Sequence, residues 1–164
     1  MRTNRMVLCG VLVALAAIFS YIEAMIPIAV GIPGVKLGFA NIVVVFALYK
    51  IDFKSALAIS FVRILIMSAL FGNPTMALYS LAGGMLSIFV MQGLKMTKIF
   101  SIFGVSMAGG VFHNVGQVLM AVLVMETKGL FAYLAPLVII GELTGLFIAF
   151  VTAKALEHLR QLRV

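Results

Sequence analysis

The chain has 164 residues, of which 64% are hydrophobic and only 10% are charged, and its formal net charge is +7. Soluble globular domains contain about 45 to 50% apolar residues, so this composition excludes an ordinary soluble domain and predicts an integral membrane protein. A membrane helix needs about 20 apolar residues. About six such helices, in a single transmembrane domain (residues 1–164), account for the whole length.

Apolar runs separated by proline, glycine and charged residues predict an all-α polytopic bundle. In chain order, the predicted spans are residues 6–26, 35–49, 53–71, 75–94, 99–125 and 135–156. The second span is about 22 Å long at 1.5 Å per residue, which is short for a bilayer. We therefore expect it to stop short of one face or to continue into a structured loop.

The basic residues indicate the orientation of the bundle. Nine of the twelve Lys and Arg residues fall on the side that holds both termini: Arg2, Arg5, Lys50, Lys54, Lys95, Lys98, Lys154, Arg160 and Arg163. Cytoplasmic segments carry an excess of Lys and Arg, so we predict a multi-pass protein of the cytoplasmic membrane with both termini inside. The same pattern explains the positive net charge without nucleic acid as a partner.

Arg63 interrupts the third apolar span, and a lone arginine at the centre of a membrane helix costs about 3 to 17 kcal/mol, depending on the method. It is therefore expected to face a protein interior, a wet cavity or an acidic partner. Counted along the helices, Arg63, His113, Asn114 and Glu142 lie about 10 to 12 Å below the outer face. Gln117 follows His113 by four residues and Asn114 by three, so the fifth helix presents a polar stripe.

Three interpretations of this polar layer are open. Arg63 and Glu142 could form a structural ion pair while the stripe joins helices through hydrogen bonds. The layer could instead line an outward-facing pocket that recognises a polar or anionic ligand, or it could relay protons or ions. The structural and ligand-binding interpretations are compatible with each other.

The outer connections add further candidates. The segment before the second span contains Lys36 and Asn41, and it is either a plain connection or a lid over the pocket, since loops on a rigid scaffold often hold binding groups. Asn73 lies in a second tight turn. Glu23 is either interfacial or a partner of Lys36, and Tyr79 is a candidate stacking or hydroxyl contact.

Small residues recur at four-residue spacing in the first helix, where they allow close approach between helices. One set is Gly10 and Ala14; the other is Ala16 and Ser20, with Leu12 one turn before them. These residues serve either internal packing or the docking of another membrane subunit.

The sequence also disfavours catalysis. Asp52 is the only aspartate among five acidic residues, whereas a Mg²⁺-diphosphate site needs several carboxylates close together. There is no Walker-type loop, and a single cysteine with two histidines does not build a convincing metal site. We therefore expect no catalytic residue, no bound metal and no cofactor.

Four ordered motifs resemble those of the bacterial Gx transporter family, also known as heptaprenyl diphosphate synthase component I. They are Pro33-Gly-Val-Lys-Leu-Gly-Phe-Ala-Asn41, Gly72-Asn-Pro74, Tyr79-Ser-Leu-Ala-Gly-Gly-Met-Leu-Ser87 and Gly109-Gly-Val-Phe-His-Asn-Val-Gly-Gln117. That family is in turn similar to the six-helix substrate-binding S components of energy-coupling factor (ECF) vitamin transporters.

The resemblance implies an S-component-like bundle that binds a small molecule in an outward pocket capped by the first loop. It also implies docking on a transmembrane coupling subunit, with ATPases in other chains, through Leu12, Ala16 and Ser20, where serine replaces the usual last alanine. The candidate ligand contacts are Lys36, Asn41, Arg63, Asn73, Tyr79, His113, Asn114, Gln117 and Glu142. The alternative is a noncatalytic membrane scaffold in isoprenoid or quinone metabolism, or in flavin- and quinone-linked membrane electron transfer.

Overall fold

The computed structural model describes residues 2–25, 38–71 and 74–161, and within these ranges it contains helices and no strand. The elements are α1 Arg2–Met25, α2 Phe39–Lys50, α3 Phe53–Phe71, α4 Pro74–Thr97, α5 Ile102–Met125, a 3-10 helix Lys128–Tyr133 and α6 Leu134–Gln161. All of the α-helices except α2 belong to segments long and apolar enough to cross a membrane. This architecture confirms the predicted all-α polytopic membrane bundle.

The main difference from the predicted boundaries concerns α2. This helix begins at Phe39 rather than at residue 35, because Gly38 adopts a left-handed conformation with φ of 76°, which glycine tolerates readily. Residues 26 and 35–37 of the predicted spans lie outside the described residues. With 12 residues, α2 is about 18 Å long, against a hydrocarbon thickness of about 30 Å. Gly38 therefore lies well inside the bundle.

Local sequence explains several other helix ends. The carboxylate of Asp52 caps α3 by accepting a 2.8 Å hydrogen bond from the backbone N–H of Ser55, as N-cap residues do. Pro74 occupies the first position of α4, where its missing N–H costs nothing. Glu126 ends α5 in the left-handed region with φ of 50°, a common way for a helix to stop.

The helices pack in the order α2, α3, α4, α5 and α6, and contacts between α6 and α2 close the bundle, while α1 lies across α2 and α3. The most extensive interfaces are those between α4 and α5 and between α5 and α6. Within the described residues, α3 packs mainly on α1, α2 and α4. The fourth helix thus separates most of α3 from α5.

The apolar core lies toward the end of the bundle where α2 meets α3. We call this end the basic end; it carries Arg5, Lys50, Lys54, Lys95 and Lys98. The buried core cluster comprises Leu12, Ala16, Val43, Val44, Val45, Ala47, Leu48, Ala56, Ile59, Ile88, Met91, Val105 and Ile148. The other half of the bundle, which we call the polar half, contains the buried charged residues Glu23 and Arg63.

Candidate functional site

Glycines bring α4, α5 and α6 into backbone contact, and we call this region the glycine seam. An ideal Cβ on Gly141 would lie 2.8 Å from the carbonyl oxygen of Gly110, and one on Gly145 would lie 2.6 Å from Met107 Cα. On the α4 side, a Cβ on Gly116 would lie 2.8 Å from Gly83 Cα. Any larger side chain at these positions would push the helices apart.

Three buried polar side chains cross the glycine seam. Ser87 donates a hydrogen bond of 2.7 Å to the carbonyl of Gly109, and Ser106 donates one of 2.8 Å to that of Gly145. The Asn114 side-chain amide donates one of 2.7 Å to the carbonyl of Leu137. Asn114 therefore joins α5 to α6, as the structural interpretation of the polar stripe predicts.

The rest of the polar stripe faces α4. An ideal Cβ on Gly83 would lie 2.8 Å from Gln117 Cγ and 3.2 Å from His113 Nδ1. The absence of a side chain at Gly83 thus makes room for the histidine and the glutamine. Both side chains are half-buried, and the seam fixes their position relative to α4.

Arg63 lies in the polar half on the face of α3 that meets α1. Its side chain is buried, with 8% exposure, and its Nη1 donates a 3.3 Å hydrogen bond to Ser20 Oγ. Glu23, three residues further along α1, is 7% exposed and attracts Arg63 electrostatically. Its Oε1 also accepts a 2.6 Å hydrogen bond from the backbone N–H of Gly38. These four residues, which we call the Arg63 cluster, connect α3, α1 and the start of α2.

The predicted pairing of Arg63 with Glu142 is wrong. Glu142 is exposed on α6, whereas Arg63 faces α1, so the carboxylate that acts on the guanidinium is that of Glu23. The position of a residue along its helix does not say which helices are neighbours. The signal that could have identified the partners is the three-residue spacing of Ser20 and Glu23, which places both on one face of α1.

Of the predicted ligand contacts not yet placed, Tyr79 and Asn41 belong to the described residues. Tyr79 is half-buried on α4. Asn41 is half-buried in the first turn of α2, and an ideal Cβ on Gly38 would lie 3.3 Å from its Nδ2. Asn41 therefore adjoins the Arg63 cluster through Gly38. Lys36 and Asn73 lie outside the described residues.

The small residues of α1 divide between two faces. Leu12 and Ala16 are buried in the core, with exposures of 6% and 0%, and Ser20 faces Arg63. The prediction that Leu12, Ala16 and Ser20 form an external docking face is therefore wrong, because this face is turned toward α2 and α3. Gly10 and Ala14 are exposed, and a Cβ on Gly10 would meet nothing within 4 Å.

Polar contacts that were not predicted from the sequence join the helices at the basic end. Arg5 pairs with Asp52 and donates a 2.9 Å hydrogen bond to Ser55 Oγ, which joins α1 to α3. Lys95 donates to the carbonyl of Leu48, near the end of α2. The backbone N–H of Ser55, and to a smaller extent the Ser55 hydroxyl and Arg5, hold the pKa of Asp52 below its ordinary value.

The chemistry available in the Arg63 cluster is hydrogen-bond donation to an acceptor or an anion. A guanidinium carries five N–H donors in a planar fork. The buried Nε of Arg63 has no hydrogen-bond acceptor within the described part of the chain. An unsatisfied donor in a protein interior is costly, so this atom marks a position where a ligand acceptor would be stabilised.

The chain matches a known protein family. The family model described as heptaprenyl diphosphate synthase component I matches residues 12–155, which is most of the chain. No curated protein and no solved structure matches the chain.

Proposed function

The chain belongs to the heptaprenyl diphosphate synthase component I family, and we propose that it acts as the substrate-binding membrane subunit of an ECF-type transporter rather than as a catalytic synthase. In this proposal, it captures a small polar or anionic molecule in the polar half, from the extracytoplasmic side. A transmembrane coupling subunit and ATPases in other chains then drive transport.

The observation that carries the proposal is the buried Arg63, whose Nε donor has no acceptor among the residues that the structure describes. A charge inside a membrane bundle that faces protein rather than lipid is by default a functional site. Ser20 and Glu23 offset part of the cost of burying this charge. The Nε donor would be available to a carboxylate, phosphate or carbonyl oxygen of a ligand.

The position of Gly38 supports binding from the polar half. Its N–H binds Glu23, and α2 begins directly after it, deep in the bundle. The start of α2 therefore lies beside the Arg63 cluster. A ligand at Arg63 would be close to Gly38.

The acidic residues support a noncatalytic role. Asp52, the only aspartate in the sequence, is paired with Arg5 and caps α3. A site for Mg²⁺-diphosphate needs several convergent carboxylates. Any synthase activity would accordingly reside in another chain.

The exposed face of α1 supports the proposed docking on a coupling subunit. Gly10 and Ala14 are one turn apart and both are exposed, the small-residue arrangement that allows another membrane helix to approach closely. These two residues replace the inward-facing set Leu12, Ala16 and Ser20 as the proposed contact.

Ligand capture can be tested by mass spectrometry of small molecules that copurify with the detergent-solubilised protein. We expect a polar or anionic compound to be enriched with the wild type and lost with Arg63→Gln. Lys98→Gln is the matched control, because it removes an exposed positive charge at the basic end. Equal recovery of every compound from both variants would contradict ligand binding at Arg63.

Docking can be tested by crosslinking and copurification from native membranes. Gly10→Leu should abolish association with a coupling subunit, since the added side chain fills the space a partner helix would use. Gly93→Leu on α4 is the matched control, because Cβ atoms at Gly10 and at Gly93 both meet nothing within 4 Å. Neither variant should unfold the isolated chain. Association that survives Gly10→Leu would contradict docking through this face.

The second candidate function is a noncatalytic membrane scaffold or partner for isoprenoid or quinone metabolism, or for flavin- or quinone-linked membrane electron transfer. The family description, component I of a prenyl diphosphate synthase, favours it. The same copurification separates the two candidates. Recovery of ATPases and a coupling subunit supports transport, whereas recovery of a soluble prenyl synthase or a flavoprotein supports the scaffold.

A further inference from the structure

A groove of about 320 Å³ lies between α3 and α4, away from the Arg63 cluster. Its volume is within the range of about 300 to 1,000 Å³ that is typical of small-molecule sites. The lining residues are Lys54, Leu57, Ala58, Phe61, Met85 and Phe89. Five of these six side chains are apolar, so the groove suits a hydrocarbon chain.

Helical spacing aligns the lining residues along the helix axes. On α3, positions 57 and 58 follow Lys54 by three and four residues and precede Phe61 by four and three, so the four residues form one stripe. Met85 and Phe89 are one turn apart on α4, and the ring of Phe89 lies 5.6 Å from that of Phe53. Phe61 and Phe89 remain 43% and 56% exposed. The groove thus runs along the bundle and is open on its outer surface.

Among the described residues that line the groove, Lys54 alone is ionisable. It lies in the first turn of α3, at the basic end, and it is exposed. Residues two apart on a helix do not face each other, and the carboxylate of the nearby Asp52 is occupied by Arg5 and the Ser55 N–H. The ion pairs found among the described residues do not involve Lys54. Its ammonium is therefore available to an external anion.

We propose that the groove binds one anionic glycerophospholipid of the leaflet at the basic end. The lipid phosphate pairs with the ammonium of Lys54, and one acyl chain lies between α3 and α4 along Leu57, Ala58 and Phe61. Lysine near a membrane surface attracts anionic headgroups, and the apolar stripe begins one turn from this lysine. The positive charge at one end of the groove matches the anionic headgroup of such a lipid, and the apolar lining of the groove matches its acyl chain. The proposal is independent of the transport function.

Native mass spectrometry in detergent tests the charge requirement. The protein is mixed with equal amounts of phosphatidylglycerol and phosphatidylcholine that carry the same acyl chains. We expect the wild type to retain phosphatidylglycerol preferentially, and Lys54→Gln to retain it about fivefold less, as the loss of one surface lysine implies. Lys98→Gln removes an exposed charge at the same end without changing the groove, so this variant should retain as much phosphatidylglycerol as the wild type. Equal retention by the two variants would overturn the proposal.

A second variant tests the apolar part of the groove independently of the charge of Lys54. Ala58→Phe fills the exposed groove while leaving Lys54 and the core in place, so phosphatidylglycerol retention should fall although the charge remains. Retention at the wild-type level would overturn the acyl-chain site. Displacement of the lipid by millimolar inorganic phosphate would overturn it as well, since that result means that the headgroup alone binds. A prenyl diphosphate that displaces phosphatidylglycerol at equal concentration would likewise overturn the proposed occupant.

Discussion

The glycine seam of α4, α5 and α6 and the contact between α1 and α3 are held together in opposite ways. In the seam, backbones touch, and the three polar bonds that cross it join uncharged groups. The contact between α1 and α3 has a charged connection at each end: the Arg63 cluster in the polar half and the pair of Arg5 with Asp52 at the basic end. One interface therefore depends on shape and the other on charge.

This difference separates a rigid part of the bundle from a part that can respond to a ligand. Closely packed backbones tolerate little displacement, because interiors are dense and resist changes of volume. An electrostatic contact can instead exchange partners when a new anion or acceptor arrives. A ligand at Arg63 would thus act on α1, which also exposes Gly10 and Ala14, the contact proposed for a coupling subunit. We expect substrate occupancy and docking to be coupled through α1.

The largest expected effect tests the shape-dependent interface. An ideal Cβ on Gly145 would lie 2.6 Å from Met107 Cα and from Ser106 O, so the side chain of Gly145→Leu has no room. We expect this variant to lose more than about 4 kcal/mol of its free energy of unfolding and to yield little folded protein. A Cβ on Gly93 would meet nothing within 4 Å, so the free energy of unfolding of Gly93→Leu should stay within about 1 kcal/mol of the wild-type value. Gel filtration and thermal unfolding in detergent measure both. Similar stability of the two variants would show that the seam can expand.

The next effect tests the charge-dependent interface. Removal of one member of a buried charge pair typically costs about 3 to 5 kcal/mol, since the other charge is left uncompensated. We expect Arg63→Met and Glu23→Gln each to destabilise the protein by about 3 kcal/mol, and the double variant to lose less than the sum. Thermal unfolding of the four proteins gives the coupling energy. Strictly additive losses would mean that the two side chains act independently.

The sequence was sufficient to predict helices, because long apolar runs leave the backbone no other way to satisfy its hydrogen bonds in a membrane. It also indicated that Arg63 faces away from lipid, which its burial confirms. It could not identify Glu23 as the partner of Arg63, since the choice between Glu23 and Glu142 depends on which helices are adjacent. It left open whether Leu12 faces inward or outward for a similar reason. Four-residue spacing defines a face of a helix but not the direction in which that face points.

The smallest expected effect concerns acid stability at the basic end of the contact between α1 and α3. The lowered pKa of Asp52, caused chiefly by the Ser55 N–H, means that its contribution to stability is complete above the ordinary pKa of about 4 and is lost as the pH falls through the lower folded value. Asp52→Asn keeps a capping oxygen but removes the charge, so its thermal stability should fall less than that of the wild type below about pH 4.

A second variant at this position separates the two causes of the lowered pKa. Arg5→Gln should keep most of the acid sensitivity, because the Ser55 N–H is the larger cause and Arg5 the smaller one. At neutral pH, the free energy of unfolding of each variant should be no more than about 1 kcal/mol below that of the wild type, as is usual for the loss of an exposed ion pair. Melting temperatures measured from pH 3 to pH 7 in detergent give both quantities. If Asp52→Asn lost stability in acid as steeply as the wild type, then this carboxylate would not be a charged connection between α1 and α3. The charge-dependent character of that interface would then rest on the Arg63 cluster alone.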